Sequence, residues 1–229
     1  MFGVFGLIVG LVVGFVFANS VNKTGIEKAS TQSLSVTGAP ANPAIPPDHP
    51  PVGGSTGDAT QTAPTAQVME SIEKAKQQPQ NFEAQMTAAD LYYQIQRFED
   101  AAKYYEVASK LKPAEAEPII KAGNAFFDAE KYEIAESWYV RALEKEPKNI
   151  SVRTDLGLTF FLREPRDIDR AIKEYKVSLG IDPEHEITLQ NLALAYSEKG
   201  DKESLKTTIE KLKKINPKNP AVIKAEGSL

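Results

Sequence analysis

The sequence contains no cysteine and only two histidines among its 229 residues. The absence of cysteine excludes a disulfide framework, thiol catalysis and cysteine-ligated zinc. The histidines, His49 and His185, lie far apart in the chain, so they give little support to histidine-based catalysis. The motifs of serine hydrolases, zinc proteases and nucleotide-binding loops are also missing. We therefore expect neither an enzyme nor a protein with a resident metal or cofactor.

An excess of positive charge is also lacking. There are 27 lysines and arginines against 31 aspartates and glutamates, which gives a formal net charge of -4. The cluster Arg163, Arg166 and Arg170 is balanced by neighbouring acids. Proteins that bind nucleic acid through the phosphate backbone usually carry a basic patch. Nucleic acid is therefore not an expected partner.

The first part of the chain carries no charged side chain. Phe2 to Ala18 is an unbroken run of Phe, Gly, Val, Leu, Ile and Ala residues. As a helix it would be about 25 Å long, which is close to the roughly 30 Å thickness of a bilayer core. The run predicts a single-pass transmembrane anchor over residues 1–19. The alternatives are a cleaved signal peptide, although basic residues at its start are lacking, and a buried core helix.

Lys23 and Lys28 are the basic residues nearest to the predicted anchor. They follow the apolar run, so the positive-inside tendency favours a cytoplasmic location for the rest of the chain. The alternative is a periplasmic or otherwise extracytoplasmic location. Gly6, Gly10 and Gly14 share one face of the predicted helix, a spacing typical of packed membrane helices. This face would allow a homo-oligomer, unless glycine is simply common in such helices.

Residues 20–65 are rich in Pro, Gly, Ser and Thr and show no apolar periodicity. Such a composition buries too little apolar surface to offset the entropy of ordering. We expect a disordered linker that separates the anchor from the remainder.

A period of 34 residues governs the rest of the chain. Prolines recur at Pro79, Pro113, Pro147, Pro183 and Pro217. A small residue precedes an aromatic residue by three positions in each unit, at Ala89 and Tyr92, Gly123 and Phe126, Gly157 and Phe160, and Ala193 and Tyr196. Each unit divides into two amphipathic stretches, of which the first is predicted as a helix over Ala84–Gln96. Two extra residues around Arg163–Arg166 should lengthen the turn inside the third unit.

This pattern resembles the tetratricopeptide repeat family. The resemblance implies an all-α fold, a right-handed α-solenoid of about four helix-turn-helix repeats. The predicted units are 82–115, 116–149, 150–185 and 186–219, with a half-repeat capping helix over 66–81 and a tail over 220–229. Helix pairs of this kind bury their apolar faces by stacking on their neighbours.

In this family the first helix of each repeat lines a concave groove that takes a peptide or a partner's segment. The doubled aromatic pairs, such as Phe126-Phe127, place the second ring about 100° away from the first, toward the groove. The resemblance then implies a partner-binding groove made of Tyr93, Asn124, Phe127, Leu158, Phe161, Leu162 and Leu194. Its acidic entrance would be Glu83, Asp90, Glu117 and Asp128. The alternative is that the second aromatics only pack against the neighbouring unit.

Some members of this family clamp a C-terminal carboxylate with lysine and asparagine. Lys121 and Asn124 approach that chemistry, but Met86 and Asp90 occupy the corresponding positions of the first unit, so we argue against such a clamp. The sequence favours a membrane-anchored adaptor or scaffold that binds a protein or peptide. The alternatives are an exported assembly factor of the cell envelope and a self-associating structural membrane protein.

Overall fold

The computed structural model describes residues 66–226. The predicted anchor, with Gly6, Gly10 and Gly14, and the predicted linker lie outside the described residues. Residues 66–226 form ten α-helices and no strand. The helices are α1 Ala66–Gln77, α2 Phe82–Gln94, α3 Phe98–Leu111, α4 Glu117–Asp128, α5 Tyr132–Lys145, α6 Ile150–Leu162, α7 Ile168–Ile181, α8 Glu186–Lys199, α9 Lys202–Ile215 and α10 Pro220–Glu226.

Each helix from α2 to α9 packs against the helix that precedes it and the helix that follows it in the chain. Four hairpins result, α2 with α3, α4 with α5, α6 with α7, and α8 with α9, and the second helix of each hairpin packs on the first helix of the next. The predicted all-α repeat solenoid is thereby confirmed. None of the helices in the described part of the chain is long and apolar enough to cross a bilayer.

Polar side chains fix where several helices begin. The side-chain oxygen of Asn81 accepts a hydrogen bond from the main-chain N–H of Ala84, at 3.1 Å, and Asn149 caps α6 in the same way through Val152, at 3.0 Å. Such caps satisfy amide groups that have no partner inside the helix. The periodicity predicted that the first helix of this repeat starts at Ala84. The cap at Asn81 explains why α2 instead starts at Phe82.

The recurring small residues make room for aromatic rings from the second helices. A Cβ atom added to Gly157 would lie 2.5 Å from Cε1 of Tyr175, and one added to Gly123 would lie 2.8 Å from Cε1 of Tyr139. Both tyrosines are fully buried. The recurring small residues therefore mark a close approach between the two helices in the second and third repeats.

The turn inside the third repeat is longer than its counterparts. It runs from Arg163 to Asp167, between the end of α6 and the start of α7. The guanidinium of Arg163 contacts Glu136 of the second repeat at 3.2 Å, and that of Arg166 contacts Glu198 of the fourth repeat at 2.8 Å. The longer turn thus ties the third repeat to both of its neighbours.

The last helix, α10, covers the end of the fourth repeat. It packs against α8 and α9, and Val222 is fully buried there with Leu189 and Leu212. Just before it, the side-chain amide of Asn219 donates hydrogen bonds to Glu186 at 2.8 Å and to Gln190 at 3.0 Å. These contacts close the apolar core that the fourth hairpin would otherwise expose.

Candidate partner-binding face

Two pairs of first helices from successive repeats, α2 with α4 and α6 with α8, touch through polar side chains. The ammonium of Lys121 on α4 lies 2.9 Å from Oδ1 of Asp90 on α2. The hydroxyl oxygens of Thr154 on α6 and Thr188 on α8 are 2.7 Å apart. We call the side of the solenoid formed by these four helices the first-helix face.

A concave pocket of about 200 Å³ opens on this face between the first two repeats. We call it the front pocket. Its lining residues come from α2, α3 and α4, and they are Asp90, Tyr93, Gln94, Tyr105, Lys121 and Asn124. The pocket is therefore built by two repeats together, and neither of them could form it alone.

Two carboxylates hold the lysine of the front pocket. Oδ1 of Asp90 accepts hydrogen bonds from the ammonium of Lys121 and, at 2.5 Å, from the hydroxyl of Tyr105. The ammonium of Lys121 also lies 3.2 Å from Glu117. Burial opposes the charge of Lys121, but its bonds to Asp90 and Glu117 outweigh burial and raise its pKa. Lys121 therefore stays cationic, and its charge is neutralised within the pocket wall.

Asn124 forms the floor of the front pocket and is 2% exposed. Its Oδ1 accepts a hydrogen bond of 2.9 Å from the hydroxyl of Tyr139. The Nδ2 amide makes no hydrogen bond with the part of the chain that the structure describes. A donor group is therefore left at the bottom of the pocket, beneath the carboxylates.

The structure places three of the six apolar groove candidates in the core. Phe127 is 3% exposed, Phe161 is 8% exposed and Leu158 is fully buried. The ring of Phe127 packs edge-on against Tyr132 of the same repeat, with the ring centres 5.4 Å apart. This differs from the expected surface stripe, because helices α4 and α6 have neighbours on several sides and bury the second aromatic as well as the first.

The remaining groove candidates are half-buried. Tyr93, Leu162 and Leu194 keep part of their surface and pack against the edge of the core. Of these three, Tyr93 lines the front pocket. The accessible part of the first-helix face is accordingly more polar than the sequence suggested.

The four predicted acids of the groove entrance lie in different surroundings. The side chain of Glu83 is 80% exposed and that of Glu117 is 62% exposed, whereas that of Asp90 is 41% exposed. Asp128 accepts a hydrogen bond from the hydroxyl of Tyr93, and burial raises its pKa to about 8. Asp128 is then mostly protonated at neutral pH, so the negative charge of the entrance comes from the other three.

Sequence reasoning missed the partnership of Asp90 with Lys121 and Tyr105. Asp90 and Lys121 are separated by 31 residues, three fewer than the 34-residue period. In this pair, the two side chains face each other across neighbouring first helices. That spacing was the signal available in the sequence.

His185 serves as a helix cap. Its Nδ1 lies 2.7 Å from the hydroxyl of Thr188 and accepts from the main-chain N–H of that residue, at the start of α8. Across residues 66–226, no three side chains of the metal-ligating kinds come together.

Comparisons with known proteins agree with this architecture. A sequence profile described as tetratricopeptide repeat matches residues 70–116 and 120–186, and a second profile of the same description matches residues 188–219. A search of curated proteins found no match.

Several solved structures share the fold. A crystal structure of MamA protein is 22% identical, with a TM-score of 0.60, over 66% of this chain and 81% of that one. A second MamA crystal structure is 23% identical, with a TM-score of 0.56, over 70% of this chain and 88% of that one. MamA 41-end from Desulfovibrio magneticus RS-1 is 15% identical, with a TM-score of 0.60, over 69% and 89% of the two chains. At these identities the likeness concerns the fold alone.

Proposed function

The chain belongs to the tetratricopeptide repeat family, and we propose that its first-helix face binds a segment of a partner protein. The chain would act as a non-enzymatic adaptor or scaffold. The observation that supports this proposal is the front pocket, whose walls come from two repeats and whose polar groups remain accessible. A polar cleft with a few convergent hydrogen-bonding groups is a usual feature of binding sites.

The proposal is tested by blocking the first-helix face. Thr87 and Gln94 are exposed on α2, and Gln94 lines the front pocket, so replacing both by tryptophan places bulky side chains on the first-helix face. The matched control replaces Lys103 and Ser137, which are exposed on the second helices α3 and α5. Affinity capture with the full chain, followed by identification of the captured protein, should lose its partner only in the first variant. Equal capture by both variants would contradict the proposed binding face.

We further propose that residues 1–19 anchor the chain in a membrane and that the repeats are cytoplasmic. The uncharged run Phe2–Ala18 and the position of Lys23 and Lys28 support this arrangement. The alternative is export of the repeats to the other side, as an assembly factor of the cell envelope. Protease protection of a C-terminal tag in intact cells separates the two arrangements, because only an exposed tag is removed.

Self-association is a second candidate function, favoured by the spacing of Gly6, Gly10 and Gly14. Light scattering of the full chain in detergent should then give a mass above that of one copy. The substitution Gly10→Leu should return the mass to that of a monomer. An unchanged mass in this variant would remove the glycine face as the cause.

A further inference from the structure

We propose that the front pocket receives an arginine or lysine side chain of the partner segment. This inference rests on the proposed function, since it names the chemistry of the group that the first-helix face recognises. Three features of the pocket support it: the balance of charge, the donor at its floor and its aromatic walls.

Asp90 and Lys121 balance within the lining of the pocket, and Glu117, which contacts Lys121 from beside the lining, adds a second negative charge. Asp90 and Glu117 share one ammonium, that of Lys121. Both of the hydrogen bonds to Asp90 go to Oδ1, and its Oδ2 makes none with residues 66–226. Glu117 is likewise bound through Oε1 alone. An incoming anion would meet two carboxylates, whereas a guanidinium or ammonium would find carboxylate oxygens that still accept hydrogen bonds.

The floor of the pocket presents a hydrogen-bond donor and therefore suits an acceptor atom of the ligand. The Nδ2 amide of Asn124 belongs to a side chain that is 2% exposed, and it has no acceptor within the described chain. Nδ2 is not fully shielded from solvent, so an acceptor supplied by a ligand can take the place of the water that would otherwise bond to it. A main-chain carbonyl is such an acceptor and carries no charge that Asp90 and Glu117 would repel.

One residue of a peptide supplies both groups. An arginine or lysine carries a cationic side chain for the carboxylates and a main-chain carbonyl for Asn124. The rings of Tyr93 and Tyr105 line the same pocket, and Lys121 already lies 5.8 Å from the ring centre of Tyr105. Aromatic faces attract cations at such distances.

The size of the pocket is consistent with this assignment. Its volume of about 200 Å³ is room for roughly seven water-sized groups, at about 30 Å³ each. Beyond Cβ, an arginine side chain has six non-hydrogen atoms. A larger element of a partner, such as a helix, would have to lie across the mouth of the pocket.

The test uses two probes of equal size that differ in charge. N-acetyl-arginine-methylamide carries the guanidinium, and N-acetyl-citrulline-methylamide replaces it by a neutral urea. Saturation-transfer NMR on the probe signals measures binding of each probe to the full chain in detergent. We expect saturable binding of the arginine probe and affinity at least about tenfold weaker for the citrulline probe, because the charge-assisted hydrogen bonds are lost.

Variants locate the binding and keep the inference falsifiable. Glu117→Gln changes an exposed side chain and should lower the affinity for the arginine probe by about fivefold. Glu133→Gln, on the exposed side of α5, is the matched control and should leave it unchanged. Equal binding of the two probes, better binding of N-acetyl-glutamate-methylamide, no binding at all, or no effect of Glu117→Gln would each overturn the assignment.

The assignment and the proposed function fail in different ways. A partner that is lost on blocking Thr87 and Gln94, yet is captured equally by Glu117→Gln and is not displaced by the arginine probe, would overturn the cation assignment alone. Capture that ignores the blocking substitutions would contradict the proposed function itself.

Discussion

Tyr139 of α5 and Tyr175 of α7 occupy the same place in their repeats, but loss of the hydroxyl should change protein stability differently at the two positions. The hydroxyl of Tyr139 donates to Oδ1 of Asn124 at 2.9 Å. In the next repeat, Leu158 takes the place of that asparagine, and the buried hydroxyl of Tyr175 has no hydrogen-bond partner among the described residues. The pair Tyr139→Phe and Tyr175→Phe therefore removes the same atom from two different environments.

The magnitudes follow from the hydrogen bonds. Tyr139→Phe removes a buried bond and leaves the oxygen of Asn124 without a donor, so we expect the free energy of unfolding to fall by about 1–3 kcal/mol. Tyr175→Phe removes a buried hydroxyl that has no partner, so stability should be unchanged or rise by about 1 kcal/mol. Since burial raises the pKa of both phenols, neither ionises at ordinary pH, and the comparison is between neutral groups.

Thermal unfolding followed by circular dichroism gives the readout. A change of 1 kcal/mol corresponds to roughly 2–4 °C in Tm for a domain of this size, so the two variants should melt several degrees apart. Urea titration with an unchanged slope checks that both unfold in the same manner. Equal losses in the two variants would refute the reasoning.

A double-mutant cycle provides the control. Leu158→Asn offers Tyr175 the acceptor that it lacks, so the pair should show a favourable coupling of about 1 kcal/mol. This coupling is the difference between the effect of Leu158→Asn on stability in the parent and its effect in the Tyr175→Phe background, where the hydrogen bond cannot form. The absence of coupling would mean that the hydroxyl does not face position 158.

Three further predictions concern the core and one buried acid. Gly157→Ala should lower the free energy of unfolding by about 1–3 kcal/mol, because the added Cβ would overlap the ring of Tyr175. In Gly180→Ala of α7, the added Cβ meets no atom within 4 Å, so the free energy of unfolding should rise by about 0.5–1 kcal/mol. Urea unfolding measures both variants, and equal effects would contradict the packing argument. Phe127→Ala should cost about 3–5 kcal/mol, since the ring is in the core, and a melt unchanged within error would contradict that placement. Burial raises the pKa of Asp128 to about 8, about four pH units above its usual value, so its contribution is fully present below pH 4 and is lost as the pH rises through 8. At about 1.4 kcal/mol for each pH unit, the parent should lose about 5 kcal/mol more than Asp128→Asn between pH 4 and pH 9, and parallel pH profiles of stability would contradict this.

The repeat architecture could be predicted because it rests on spacing. The periodic prolines, small residues and aromatics mark contacts that every repeat makes, and the hairpins follow from them. The helix limits were less certain, since the start of α2 depends on the side chain of Asn81 and not on apolar periodicity.

The accessible side of the first helices could not be predicted in the same way. In α6, every residue from Thr154 to Phe161 is buried, so polar and apolar positions do not separate into two faces. Burial on all sides leaves no periodic signal for the surface that remains. The front pocket is instead defined by Lys121 and Asn124, whose partners lie on other helices.

The two ways in which the first helices touch should respond differently to salt. An ion pair joins α2 to α4 through Asp90 and Lys121, and dissolved salt screens such contacts when they are partly exposed. Two buried hydroxyls join α6 to α8 through Thr154 and Thr188, where ions cannot reach. The contact between α2 and α4 should thus weaken as ionic strength rises, while the contact between α6 and α8 should not depend on salt.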